Sequence, residues 1–209
     1  MSLSLVNHLG KKGSSFIEIM AMMAILSVSI AAMFSTVISG IYFAKDSENR
    51  IKAINLAREG LEGVTNLRNT NWLRFSSDQV NCWKIQDYDA RCIGDIAFST
   101  GGSIGSGGTT RLYVLENNNG AWYLTGVTSG SGLWVNKDGF YVLTGTTVVG
   151  PPCTIEVTTN CLSRFTREIQ IREGASSGEL SITSVVDWME QMPQNVILKS
   201  TITNWKSKF

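Results

Sequence analysis

The chain has 209 residues, 43% hydrophobic and 17% charged, with a formal net charge of +1. That composition suits one anchored or soluble folded domain, and the near-neutral balance excludes the broad basic face that nucleic acid or an anionic membrane surface would attract. The single histidine, His8, lies close to the beginning, so the remaining chain lacks the commonest general base and metal ligand.

Residues 1–13 are too short and too weakly apolar to form the hydrophobic region of a secretory signal. Lys11, Lys12 and Gly13 are followed by Ser14 and Ser15. An apolar run then extends from Phe16 to Ala44, in which Glu18 is the only charge. About twenty apolar residues are enough to cross a bilayer as a helix. A charge at mid-membrane costs about 2.5–3.5 kcal/mol on insertion scales and less near the interface, so Glu18 is a candidate functional residue.

The basic pair Lys11 and Lys12, Gly13, the small polar Ser14 and Ser15, Glu18 and the long apolar run resemble the start of type IV pilin-like precursors. The resemblance implies a leader of residues 1–13, cut after Gly13 by a membrane prepilin peptidase. Ser14 is then the first mature residue, open to N-methylation, and Glu18 is the fifth. Ser14 stands where the family usually has Phe. Loss of residues 1–13 removes two lysines and no acid, which leaves 16 basic against 17 acidic residues, a net −1. The implied product is a structural subunit, of minor type, in a type IV pilus or related filament, with a secretion pseudopilin as the close alternative. Its implied partners are the peptidase, other pilin subunits, the pilus assembly platform and the membrane, with no small-molecule substrate and at most an indirect link to nucleic acid. It starts as a single-pass precursor in the cytoplasmic membrane and ends in an extracellular filament or at the cell surface. Glu18 and the Ser14 amine lie one helical turn apart, and in a filament the carboxylate of one subunit neutralises the amine of a neighbour. An alternative of another class is a permanently anchored envelope protein whose domain binds a ligand.

Beyond Ala44 the chain turns amphipathic. Ile51, Ile54, Ala57, Leu61, Val64 and Leu67 recur at spacings of three and four, which predicts one apolar stripe on a helix. Glu48/Lys52 and Arg58/Glu62 are spaced as i,i+4 pairs. With no proline before Pro151, the pattern predicts one helix from about Ser15 to Asn69, about 80 Å long. Asn69, Thr70 and Asn71 are expected to end it. Gly40, Gly60 and Gly63 inside it mark either close packing or a hinge. Local unwinding in the apolar half would rest on Ser35, Thr36, Ser39 and Gly40.

Cys82, Cys92, Cys153 and Cys161 form two locally spaced pairs with no CxxC, so zinc and thioredoxin chemistry are not expected. Short loops close at lower entropic cost, which favours the pairing 82–92 and 153–161 among three connectivities. Four buried thiols are the other reading. Residues 101–108, GGSIGSGG, read as a flexible loop, since no Gly-Lys-Ser/Thr follows to make a phosphate cradle.

The period then becomes two. Leu112–Leu115 and Ala121–Thr125 flank one turn, and Leu133–Val135 and Phe140–Leu143 flank another at Asp138-Gly139. Strands follow around Phe165, Ile169 and Ile171, around Leu180, Ile182, Val186 and Trp188, and around Val196, Leu198 and Ile202. The expected fold is α+β: a long N-terminal helix packed on a C-terminal antiparallel sheet. Its parts are the leader 1–13, an assembly half 14–44, an amphipathic half 45–72 and a β-rich domain 73–209. Asp87, Asp89 and Asp95 read as a solvated polar loop. The six tryptophans read first as core or packing anchors, with an adhesive surface at Trp83, Trp122 and Trp134 as the alternative. With no nucleophile–base pair, metal constellation or cofactor loop, neither enzymatic activity nor a cofactor is expected.

Overall fold

A computed structural model describes residues 12–94, 103–105, 108–118, 120–136, 141–142, 161–174, 176, 178–190 and 192–205. Helix α1 runs Lys12–Arg74, and the chain divides into two units at Asn49/Arg50. The second unit contains the remainder of α1, a one-turn helix α2 (Gln79–Cys82), a 3-10 turn Ala90–Cys92 and one antiparallel sheet.

The sheet holds seven strands: β1 Arg111–Asn118, β2 Ala121–Val127, β3 Ser131–Val135, β4 Tyr141–Val142, β5 Cys161–Glu173, β6 Glu179–Met189 and β7 Pro193–Thr203. Thirteen-residue β5 organises it. One edge pairs with β6 from Phe165 to Glu173, and β7 pairs outside β6. The other edge is shared between β3, opposite residues 161–167, and β1, opposite residues 169–171. β2 pairs outside β1 and β4 outside β3. This is the expected α+β arrangement of a long helix and an antiparallel sheet.

Several boundaries differ from the sequence expectation. The helix does not end at Asn69–Asn71. Asn71 turns inward and is fully buried, and its Nδ2 donates to the Trp83 and Ile85 carbonyls at 3.2 and 2.8 Å. A residue that favours turns because it competes for backbone partners here finds backbone partners outside its own helix, so α1 continues to Arg74. The apolar stripe is also rotated. Ala53, Leu56, Ala57, Val64 and Leu67 are buried, whereas Ile51 is 60% exposed. The helix approaches the sheet along its small residues. A Cβ on Gly60 would lie 2.6 Å from Ser184 Oγ and 2.7 Å from Ile169 Cδ1, and one on Gly63 would collide with the Leu115 side chain. Both glycines are therefore points of close packing.

The loop reading of residues 101–108 also needs correction at its described centre. Ile104 is fully buried and its N–H donates to the Lys84 carbonyl at 2.8 Å, while Ser103 bridges Ile85. Gly105 takes φ +69° and donates its N–H to the Tyr113 hydroxyl at 3.0 Å. One isoleucine among glycines suffices to anchor the segment.

The first hairpin is longer than expected, pairing through Asn118↔Ala121, with Gly120 at φ +85° in the turn. The second pairs Trp134↔Val142 and Val135↔Tyr141, and its Asp138-Gly139 turn lies outside the described residues. On β7, Val196 and Leu198 are half-buried and only Ile202 is buried, so its inner face is covered less completely than that of β6.

Candidate functional site: the apolar half of helix α1

From Phe16 to Phe43 the large apolar side chains of α1 are exposed, from 45% at Ile30 to 73% at Phe43. A helix forms here because the run lacks proline and is rich in Ala, Met, Leu and Ile, and three of its hydroxyls find partners within it. Ser27 Oγ donates to the Ala24 carbonyl at 2.8 Å, Ser29 Oγ to Ile25 at 2.8 Å and Thr36 Oγ1 to Ala32 at 2.9 Å. Those donors need no water, so this surface can enter an apolar phase without leaving them unpaired. Such a helix is long and apolar enough to cross a membrane.

Glu18 is the only charge between Lys12 and Lys45. The uncharged stretch Ile19–Ala44 spans about 39 Å at 1.5 Å per residue, close to the thickness of a bilayer with its headgroups. Glu18 thus stands at one end of the apolar surface rather than at its middle. Lys12, Gly13 and Ser14 belong to α1, whereas Lys11 lies outside the described residues. Helical register puts position 14 one turn from Glu18 on the same side. At 100° per residue, Ala21, Ala24, Ala31, Ala32 and Ser35 fall on one side together with Ile17, Val28 and Tyr42, while Ile19, Met23, Leu26, Ile30 and Val37 share the opposite side.

The other candidate residues lie in the folded unit. Cys82 and Cys92 form a disulfide with Cα atoms 5.3 Å apart, both fully buried. Cys161 is buried at the start of β5, and Cys153 lies outside the described residues. Within the loop closed by the disulfide, Asp89 caps the 3-10 turn, accepting from the Arg91 N–H and guanidinium, which hold its carboxyl below the ordinary range. Asp78 caps α2 in the same way. The Gly94 N–H, then the Asn81 side chain and N–H, lower its pKa. These acids shape turns; Asp95 lies outside the described residues.

Trp83 is a core anchor, not part of an adhesive surface: at 3% exposure it belongs to the cluster around Leu67 and Ile85. Trp122 and Trp134 are half-buried. The tryptophan that is exposed is Trp205, at 53%, set edge-on against buried Trp72 with ring centroids 5.5 Å apart. Position after the last strand was the only sequence signal for it.

Arg167 was missed altogether. It points inward from β5, 4% exposed, and its Nη1 lies 3.2 Å from the Leu56 carbonyl and 3.2 Å from Glu59 Oε1. Burial lowers its pKa and Glu59 opposes that shift. A charged residue at an alternating position reads as outward-facing unless its distant partner is known.

No protein-family model, curated protein or solved structure matches the chain. What stands is architectural. A long apolar N-terminal helix and an antiparallel sheet, joined through a docked second half of the same helix, are compatible with a pilin-like fold.

Proposed function

We propose that the chain is a structural subunit of a type IV pilus or related filament, of minor type, inserted through α1 and assembled through the same helix. The observation that carries this reading is the exposed apolar surface Phe16–Phe43 with a single carboxylate at its start. A permanent anchor needs apolar length but no charge. A subunit that leaves the bilayer for a packed helical core needs a group that rewards correct register, because an unpaired charge in that core costs several kcal/mol. Cleavage after Gly13 creates the complementary group, the Ser14 amine. The near-40 Å span lets Glu18 sit at the cytoplasmic headgroups before assembly, so insertion and assembly place different demands on one residue.

The test has two parts. Intact mass of the membrane-extracted protein should give a chain beginning at Ser14; a chain still beginning at Met1 would overturn the processing step. Glu18→Ala should leave cleavage intact and abolish incorporation into filaments.

A second reading, a permanently anchored envelope binding module, draws on exposed Trp205 beside Trp72. In that case Glu18→Ala leaves surface display and ligand binding unchanged.

A further inference from the structure

The apolar interior beneath α1 falls into two clusters. Ala53, Leu56 and Ala57 cover Leu133, Phe165, Val186 and Trp188. Further along, Val64 and Leu67 join Leu115, Ile169, Ile171 and Ile182. The boundary is polar and crosses both strands. On β5, Arg167 separates Phe165 from Ile169; on β6, Ser184 separates Val186 from Ile182. Arg167 pairs with Val186 and Ser184 with Ile169, so the two polar side chains are diagonal neighbours on the inner face. Directly above Ser184 is Gly60, with Gly63 one turn on.

This boundary leaves buried polar atoms unpaired. Arg167 Nε and Ser184 Oγ are buried without a hydrogen-bond partner, as is Trp188 Nε1 beside the first cluster. The helix above contains its two docked glycines, each lowering helical stability relative to alanine. On the far side of them, residues 50–59 contribute only Leu56 as a large buried side chain, with Ala53 and Ala57 adding little apolar area. Arg167 makes two directional contacts with that segment, one to the Leu56 carbonyl and one to the Glu59 carboxylate.

We propose that residues 50–59 of α1 form a strap that undocks from the sheet as a unit, pivoting at Gly60 and Gly63, with the Arg167–Glu59 contact as its latch. The part from Val64 onward stays docked, because Asn71 and Trp72 are tied to Trp83, Ile85 and Asn204 and the disulfide-closed loop packs beside them. Opening exposes the inner face at Phe165, Val186 and Trp188 while the second cluster remains closed. Arg167 is buried whereas Glu59 is 38% exposed, and a half-buried pair of this kind adds little net stability while fixing one arrangement, as a latch requires.

The experiment uses the full-length chain in detergent micelles; among the described residues no cysteine is free, and the labelled position is read by peptide mass spectrometry. Single substitutions Ala57→Cys and Val64→Cys place a thiol on either side of the pivot at fully buried positions. Under native conditions, the thiol at 57 is expected to react with a small disulfide reagent about tenfold or more faster than the thiol at 64. Glu59→Gln should speed the reaction at 57 by a further tenfold or so and leave that at 64 unchanged, from the loss of a charged hydrogen bond. Equal rates at 57 and 64, or equal acceleration of both by Glu59→Gln, mean that only global unfolding exposes them and overturn the proposal. Ala53→Cys supplies a second probe within the strap if Ala57→Cys fails to fold.

Discussion

Gly40 and Gly63 lie in one helix, and the same substitution should act on them in opposite directions. An alanine in place of glycine in a helix interior gains about 1 kcal/mol from reduced backbone entropy in the unfolded chain. At Gly40 nothing lies within 4 Å of the added Cβ, so Gly40→Ala should keep that gain. At Gly63 the Cβ meets three atoms of the Leu115 side chain, which is 1% exposed and held in the larger cluster, so it cannot swing into solvent. Overpacking of that kind costs about 1–3 kcal/mol, which outweighs the propensity gain at all but its lowest end. The net expectation for Gly63→Ala is a loss of up to about 2 kcal/mol. For a chain of this size that corresponds to a fall in Tm of up to about 8 °C. Thermal unfolding in detergent, followed by near-ultraviolet circular dichroism of the buried aromatics, reads the folded unit; backbone helicity reads the effect at Gly40. A Gly63→Ala that stabilises by about 1 kcal/mol, as Gly40→Ala should, would refute the close approach of α1 to β1, and with it the assignment of this glycine to packing.

Other substitutions test separate parts of the structure. Asn71→Ala strands the buried carbonyls of Trp83 and Ile85 and should cost about 1–3 kcal/mol in urea unfolding, whereas Asn69→Ala on the exposed side should be near neutral. Replacing both Cys82 and Cys92 by serine releases a short loop and should lower stability by about 2–4 kcal/mol. Asp187 has its pKa raised, first by burial and then by Glu168. A carboxyl whose folded pKa lies above its unfolded value favours the fold when protonated, and that contribution is lost as pH rises through the folded pKa. Asp187→Asn should therefore raise stability at neutral pH and leave it little changed below pH 3 or so; an equal shift at both would show that charge is not the cause.

Much of the architecture was legible in the residues because it rests on local patterns. The absence of proline and the switch from a continuous apolar run to spaced apolar residues specify a long helix with two environments. Alternation around Phe165, Ile169 and Ile171 and around Leu180 to Trp188 specifies half-buried strands, and these face the helix as expected. Three features escaped. The buried face of α1 keeps Ala57, Val64 and Leu67 of the expected stripe but adds Ala53 and Leu56 and leaves Ile51 outside, because the closest approach goes to the smallest side chains. Asn71 carries a helix through a polar triplet because its partners come from a segment twelve and fourteen residues away. Arg167 is buried because Glu59 and the Leu56 carbonyl lie above it, more than a hundred residues earlier in the chain.

The candidate assembly segment differs in kind from these. Lys11, Lys12, Gly13, Ser14 and Glu18 and the apolar run to Ala44 are contiguous, so their register on a helix follows from spacing alone, and the sequence by itself determined it. The tertiary structure decided how the second half of that helix is held: by two glycines against a sheet, by an asparagine and a tryptophan at one end, and by a buried arginine between two apolar clusters. Helical periodicity is a property of neighbouring residues, and a chain reveals it directly. Which face lies closest to the sheet and which charge is buried depend on atoms brought together from distant positions, and only the folded chain supplies them.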